Sequence, residues 1–211
     1  MKSIIEIKSK LKELTTLDKK FEIFGASSHQ YKFNQSISIE ALNQFEKKYE
    51  VELPKDYKAF VSEIGNGGAG PYYGIHPLQK DLGEFNPENK FDLLRFNFPH
   101  KEAWNWSNKI FAKFEELEES EDDEIVYFFD NIYWEAYCKN ELTQGSIYIT
   151  EYGCALRFLL IITGEDKGKI WFDQRADKKG INPVKDKNGT RLDFSDWYVE
   201  WLNKSIKKMK E

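Results

Sequence analysis

Three kinds of residue in this chain have the type and spacing to do chemistry: a glycine-rich run, three histidines, and acidic side chains at the ends of strand-like segments. Gly65-Asn66-Gly67-Gly68-Ala69-Gly70 fits the G-x-G-x-x-G pattern in which backbone N–H groups cradle a dinucleotide pyrophosphate. That chemistry needs the glycines between a strand and the N-terminal end of a helix, where free N–H groups face the anion. Here they follow an amphipathic helix and precede Pro71, so the negative end of the dipole faces the loop and repels phosphate. Gly164-Glu165-Asp166-Lys167-Gly168-Lys169-Ile170 lacks the spacing and the Ser or Thr of a P-loop and bridges two strand-like runs, so it reads as a turn. His29, His76 and His100 lie apart, with no pair at helical ligand spacing, so they read as surface or core polar residues; no metal and no other cofactor is expected. No Cys-His constellation and no G-x-S-x-G elbow offers a nucleophile. What remains is a carboxylate pair, for which Glu151 and Asp173 are the best placed. The competing reading is that Asp173 ends its strand by bonding local N–H groups and pairing with Arg175, which leaves the chain non-enzymatic.

The elements that must position these residues can be read from periodicity. Ile4, Ile7, Leu11, Leu14, Leu17 and Phe21 recur at steps of three and four and predict an amphipathic N-terminal helix. Ser38 is a natural N-cap for a second helix burying Leu42, Phe45 and Tyr49. Pro54 suits the first position of a third, with Tyr57, Phe60, Val61 and Ile64 on one face and Gly65 as its left-handed stop. Pro71 to Leu78 reads as a short strand that opens the sheet, and residues 79–109 as mostly loop anchored by Trp104 and Trp106. Ile125, Phe128, Phe129, Ile132, Tyr133 and Ala136 keep a helical period to about Cys138. Ser146 to Thr150, Ala155 to Ile162 and Lys169 to Phe172 predict an antiparallel meander, and Asn188-Gly189 is the strongest short hairpin signal. Ser195 caps a final helix that buries Trp197, Tyr198, Trp201 and Leu202 and ends in lysines favourable to the macrodipole. Gly67, Gly68, Gly153, Gly168 and Trp171 are taken as fold determinants, the indole filling the helix–sheet interface. The expectation is an α+β domain: an antiparallel sheet of about five or six strands with helices packed against it.

With 211 residues, 40% of them hydrophobic, one domain with a sizeable core is expected. Charge interrupts the start before a signal-peptide core can form, and the longest apolar run, Phe158 to Ile162, is far short of a membrane span; a cytoplasmic protein is expected. Cys138 and Cys154 have neither metal-ligand spacing nor a disulfide framework, which fits a reducing compartment, where the Asn-x-Ser/Thr sites at Asn34, Asn105, Asn188 and Asn203 carry no meaning. The net charge of −5 is concentrated in Glu115, Glu116, Glu118, Glu119, Glu121, Asp122, Asp123 and Glu124. This run is either a solvated loop or frayed helix end, or a negative field presented to a basic partner. A pI near 5.5 and the lack of a basic face interleaved with aromatics disfavour nucleic acid as a partner.

The run from Leu53 to Gly68 resembles the opening signature of the SUKH superfamily, the Smi/Knr-like proteins. Glu151-Tyr152-Gly153-Cys154, Gly164 to Asp173, Arg175-Ala176, Gly180-Ile181-Asn182-Pro183 and Trp197-Tyr198-x-x-Trp201-Leu202 are similar to its later blocks, in order. The resemblance spans about residues 36–78 and 146–204 of a single 1–211 domain, leaving 1–35 as an accessory helical region and 79–145 as a variable insert. It implies an immunity protein that binds and neutralises a cognate polymorphic toxin, often a nuclease or another enzyme. Tyr72, Tyr73 and the 115–124 carboxylates are the candidate contacts, against the alternative that the tyrosines only pack across strands. An intracellular regulatory scaffold that binds host proteins through the acidic run is the second reading, and a carboxylate hydrolase the third.

Overall fold

The computed structural model describes residues 4–78, 90–118, 127 and 131–211, and its centre is an antiparallel meander. Strands β1 (Ser146–Gly153), β2 (Leu156–Ile161), β3 (Ile170–Asp173) and β4 (Ile181–Pro183) lie side by side in chain order. β1 turns into β2 through Cys154 and Ala155, both left-handed (φ 50° and 60°), the two-residue turn whose twist matches that of the flanking strands. Successive β2 side chains point to opposite faces, yet Phe158, Leu159, Leu160 and Ile161 are all buried, so the sheet is covered on both sides. On one face Ile147, Ile149, Phe158, Leu160 and Ile170 join the main helical core. On the other, Leu159, Ile161, Trp171 and Ile181 form a smaller core with Phe98. Trp171, expected against the helices, therefore lies on the opposite face, its ring edge-on to Phe98 at 4.9 Å and its Nε1–H bonded to Asp166 at 2.8 Å.

Four strands are present among the described residues where five or six were expected. Pro71 to Leu78 does not form one: Tyr72 (φ 55°) and Gly74 (φ 92°) curl it into a turn closed by Gly74 N–H to Pro71 O at 3.0 Å. Only Ile75, bridging Gly68, and His76, whose N–H reaches Ile149 O at 2.8 Å, touch strand-like partners. The Asn188-Gly189 hairpin forms, with Gly189 left-handed (φ 83°) and bonded to Asp186 O, but its arms meet in the single Lys185–Arg191 bridge.

Helices α1 (Ile4–Leu17), α2 (Ala26–His29), α3 (Ile39–Tyr49), α4 (Lys55–Glu63) and α6 (Phe194–Lys210) supply the main core, with α5 (Asn108–Glu118) in the middle segment. α1 lies along α6, and its Ile7 and Leu14 are fully buried in the same core. Ser38 caps α3 as expected, accepting the Ala41 N–H at 3.1 Å. α4 ends without a left-handed Gly65; that residue is small because a Cβ there would sit 2.7 Å from Phe33 Cβ, while Gly67 (φ 80°) and Gly68 (φ 108°) take the left-handed conformations. α6 starts one residue before Ser195, which is not its cap. The Ser195 N–H instead donates to Asp56 Oδ2 at 2.9 Å, so a buried carboxylate of α4, bonded also to its neighbour's Tyr57 N–H at 2.9 Å, occupies the positive end of α6.

Of the expected loop at 79–109, residues 79–89 lie outside the described residues; the rest contains a 3₁₀ turn at Lys90–Leu93 and runs into α5, which carries Glu115, Glu116 and Glu118 in helix. The expected 125–138 helix is described at 127, 131 and 132 and passes into a π-turn at Tyr133–Tyr137; Ile125, Phe128 and Phe129 lie outside the described residues. Phe98, Trp104 and Leu142 of this middle segment cover the second sheet face, and Trp104 pairs with Ile181 of β4 by two backbone hydrogen bonds at 2.9 and 2.8 Å. No helix among the described residues is long and apolar enough to cross a membrane.

Candidate functional site

The two carboxylates weighed for catalysis are kept apart by the sheet. Glu151 pairs with Arg157 and Arg157 with Asp173, so the acids lie two strands apart with Arg157 of β2 between them. Asp173 is buried and fully engaged: Arg175 Nε donates to Oδ1 at 2.8 Å and Nη2 to Oδ2 at 2.7 Å. Arg175 Nη1 donates onward to the carbonyls of Tyr137 and Lys139, both at 3.1 Å, tying β3 to the middle segment. Burial pulls the Arg175 guanidinium down, but Asp173 outweighs it and leaves the group above its ordinary value. The pair is thus structural, as its two-residue spacing suggested. His100 is buried against Trp104 and Trp171, with Nε2 2.8 Å from Leu142 O, and burial holds its ring below the ordinary histidine value. Among the described residues no three His, Cys, Asp or Glu side chains are disposed to hold a metal ion.

Tyr72 and Tyr73 occupy a different kind of site. They meet Phe24, from the loop before α2, and Tyr152, near the end of β1. Phe24 stands 5.5 Å from Tyr73, 5.8 Å from Tyr152 and 6.3 Å from Tyr72, ring centre to ring centre. Three of these rings are open to solvent, Phe24 by 52%, Tyr73 by 47% and Tyr152 by 41%. Tyr72 is the root: it lies 4.7 Å from Tyr152 and stacks at 4.9 Å on Phe158, which stacks at 4.2 Å on Phe172. A column of rings thus runs from the solvent into the helix–sheet core. Tyr72 packs in this column from within its turn, a packing role like the one weighed against partner contact, though not one across paired strands.

Two loops are fastened to present this surface. Asp18 is fully buried; its Oδ1 accepts the Glu22 N–H at 2.7 Å, and its Oδ2 accepts the Ile23 N–H at 3.1 Å and the Tyr31 hydroxyl at 2.5 Å. Burial pushes this carboxyl up, but the Tyr31 hydroxyl and the backbone N–H groups outweigh it and hold it below its ordinary value. The loop docks on the Tyr72 turn through Gly25 (φ 79°), where any Cβ would collide with the Tyr72 carbonyl. From the sheet, the Thr150 hydroxyl donates to Gly74 O at 2.7 Å. Tyr72, within the aromatic cluster, holds left-handed backbone without being glycine (φ 55°). Burial, then Tyr152 and Glu200, raise the Tyr72 hydroxyl above its ordinary value, so it stays a neutral hydrogen-bonding group. Exposed rings, two of them carrying hydroxyl tips, rooted on a buried column can anchor another macromolecule.

The acidic candidates lie elsewhere. Glu116 is exposed on α5, Glu115 and Glu118 share that helix, and Glu119, Glu121, Asp122, Asp123 and Glu124 fall outside the described residues. α5 packs through Phe111 on Tyr137, on the side of the sheet opposite Tyr72 and Phe158. Sequence reasoning missed Phe24 and Tyr152 as partners of the tyrosines. Tyr152 did carry a signal, since it lies in a block quoted for the family resemblance; Phe24 had none beyond its neighbour Gly25. No family model, curated protein or solved structure matches this chain.

Proposed function

We propose that this protein is a non-enzymatic binding protein that engages a protein partner through Phe24, Tyr73 and Tyr152, and that it serves in the cytoplasm as a SUKH-like immunity protein against a cognate polymorphic toxin. The observation that carries the binding role is the exposure of three large aromatic rings on one buried column. The toxin as partner follows from the sequence blocks at 36–78 and 146–204, and Tyr73 and Tyr152 come one from each of them. Rigid aromatic anchors are the residues that dominate interfaces, each costing about 2 kcal/mol or more of affinity when truncated. The acidic run at 115–124 adds association rate towards a basic toxin surface, such as that of a nuclease.

Co-expression with the toxin encoded beside this gene, followed by size exclusion, tests the reading. The wild type is expected to rescue growth and form a complex, and the triple variant F24A/Y73A/Y152A to lose both while melting within a few degrees of the wild type. Rescue by the triple variant would remove the aromatic surface from the interface, and failure of the wild type to bind rejects that toxin as partner. The eight clustered carboxylates favour a second reading, a regulatory scaffold held to host proteins by that run. Replacing them with amides would abolish a scaffold's partners but only slow association in an aromatic-anchored inhibitor.

A further inference from the structure

Beneath the aromatic surface lies His29, the last residue of α2. Its ring is 8% exposed, edge-on to Tyr31 at 5.3 Å and to Trp201 of α6 at 6.4 Å. A Cβ on Gly74 would stand 3.2 Å from its Cδ2, so the turn carrying Tyr72 and Tyr73 rests directly on the imidazole. Nδ1 accepts the Tyr31 N–H at 3.0 Å, which assigns the proton of the neutral ring to Nε2. Nε2 is buried and makes no hydrogen bond among the described residues.

We propose that His29 is an acid-sensitive latch for the aromatic surface. A proton added at Nδ1 breaks the Tyr31 hydrogen bond and strands a cation among apolar and ring contacts. The ring then leaves its site, releasing α2 and the 70–74 turn, which hold Phe24, Tyr72 and Tyr73 in place. The groups facing the ring leave this outcome intact. From the turn after α1, Asp18 favours the charged form, but its oxygens already serve Tyr31, Glu22 and Ile23. From the 70–74 turn, the Gly70 backbone also favours charge, though without reaching hydrogen-bonding geometry at Nε2. From α6 comes the Trp201 ring, while the Tyr198 hydroxyl of that helix is committed to Ala69 O at 2.7 Å. Burial outweighs the favourable pair and holds the ring below its ordinary value of 6.5.

The sign of the effect follows from linkage. The closed state keeps the ring neutral and the open state gives it an ordinary affinity, so below about pH 6.5 the opening constant rises by up to about tenfold per unit until the closed-state value is reached. Partner release on acidification is the consequence, and it rests on this surface being the binding site; the test needs no partner, so the latch and the binding role can fail separately.

Amide hydrogen exchange of the whole protein at pH 7.5 and 5.5, corrected for intrinsic rates, reads the latch directly. Amides of residues 26–31 and 68–76 are expected to lose protection by up to about tenfold relative to those of β1–β3. His29→Asn, whose Oδ1 can accept the Tyr31 N–H but cannot titrate, is expected to abolish that difference, and His100→Asn to preserve it. Equal loss in the His29→Asn variant, or none in the wild type, overturns the proposal. Should His29→Asn fail to fold, side-chain NMR of His29 in the wild type decides. Titration below 6.5 in step with the Tyr72 and Tyr73 amides supports the latch; titration without movement of those amides refutes it.

Discussion

Asp173 and Arg175 show how little a residue's type says about its work. Both carboxylate oxygens and three guanidinium nitrogens are committed to one another and to two carbonyls, with the pair buried. Removing one partner leaves an uncompensated buried charge, which costs about 3–5 kcal/mol. Asp173→Asn is therefore expected to lower the urea midpoint strongly, while Glu151→Gln, half-buried at the sheet end, barely moves it. The pairing was legible in the sequence because two residues separated by one position after a strand can scarcely avoid each other. The aromatic surface was legible only in part. Tyr72 and Tyr73 adjoin in the chain, whereas Phe24 and Tyr152 reach them only after the chain has folded, and an exposed ring leaves no periodic trace. At Gly25, alanine is expected to unseat the Phe24 loop from the Tyr72 carbonyl and weaken partner binding along with stability. Tyrosine fluorescence and a melting curve would check it.

At the scale of elements, periodicity located α1, α3, α4 and α6 and the meander strands to within a few residues, because a buried stripe must repeat with the geometry of its element. Ends were harder. α6 draws its N-terminal acceptor from Asp56, 139 positions earlier in the chain, and no local pattern encodes such a bond. Asp56→Ala leaves the Ser195 and Tyr57 N–H groups buried without that acceptor, at a cost of about 1–3 kcal/mol. The expected readout is a lower melting temperature with faster exchange at Ser195, and unchanged exchange there would show the bond to be dispensable. The supposed strand at Pro71 to Leu78 fails because Tyr72 and Gly74 take left-handed backbone two residues apart, which bends the chain into a turn. β4 is held from outside by Trp104, whose carbonyl lies where a Gly180 Cβ would project. Gly180→Ala is thus expected to release Trp104 from the sheet edge, visible as a shift in indole fluorescence.

At the scale of the whole molecule, the sheet is clad on both faces, and each cladding buries a histidine that burial holds below its ordinary value of 6.5: His29 on the helical side and His100 under the middle segment. The unfolded chain binds protons at these rings first. Stability is therefore full above about pH 6.5 and falls as the pH drops below it, by up to about 1.4 kcal/mol per unit for each histidine until its folded value is reached. Urea titrations at pH 7.5 and 5.5 are expected to show the loss, and a double variant, H29N/H100N, to flatten it. The Asp18 carboxyl, held below its ordinary value of 3.8, adds a second loss at still lower pH, where its protonation surrenders the Tyr31 and backbone bonds. By itself the sequence determined the α+β class, most of the helices, the meander and the Asp173–Arg175 pair, because each is written in side chains a few positions apart. The tertiary structure alone decided the number of strands, the face Trp171 takes, the cap on α6 and the gathering of Phe24, Tyr72, Tyr73 and Tyr152. Each of these depends on contacts between residues far apart in the chain, which hydrophobic periodicity specifies as buried or exposed but never as neighbours.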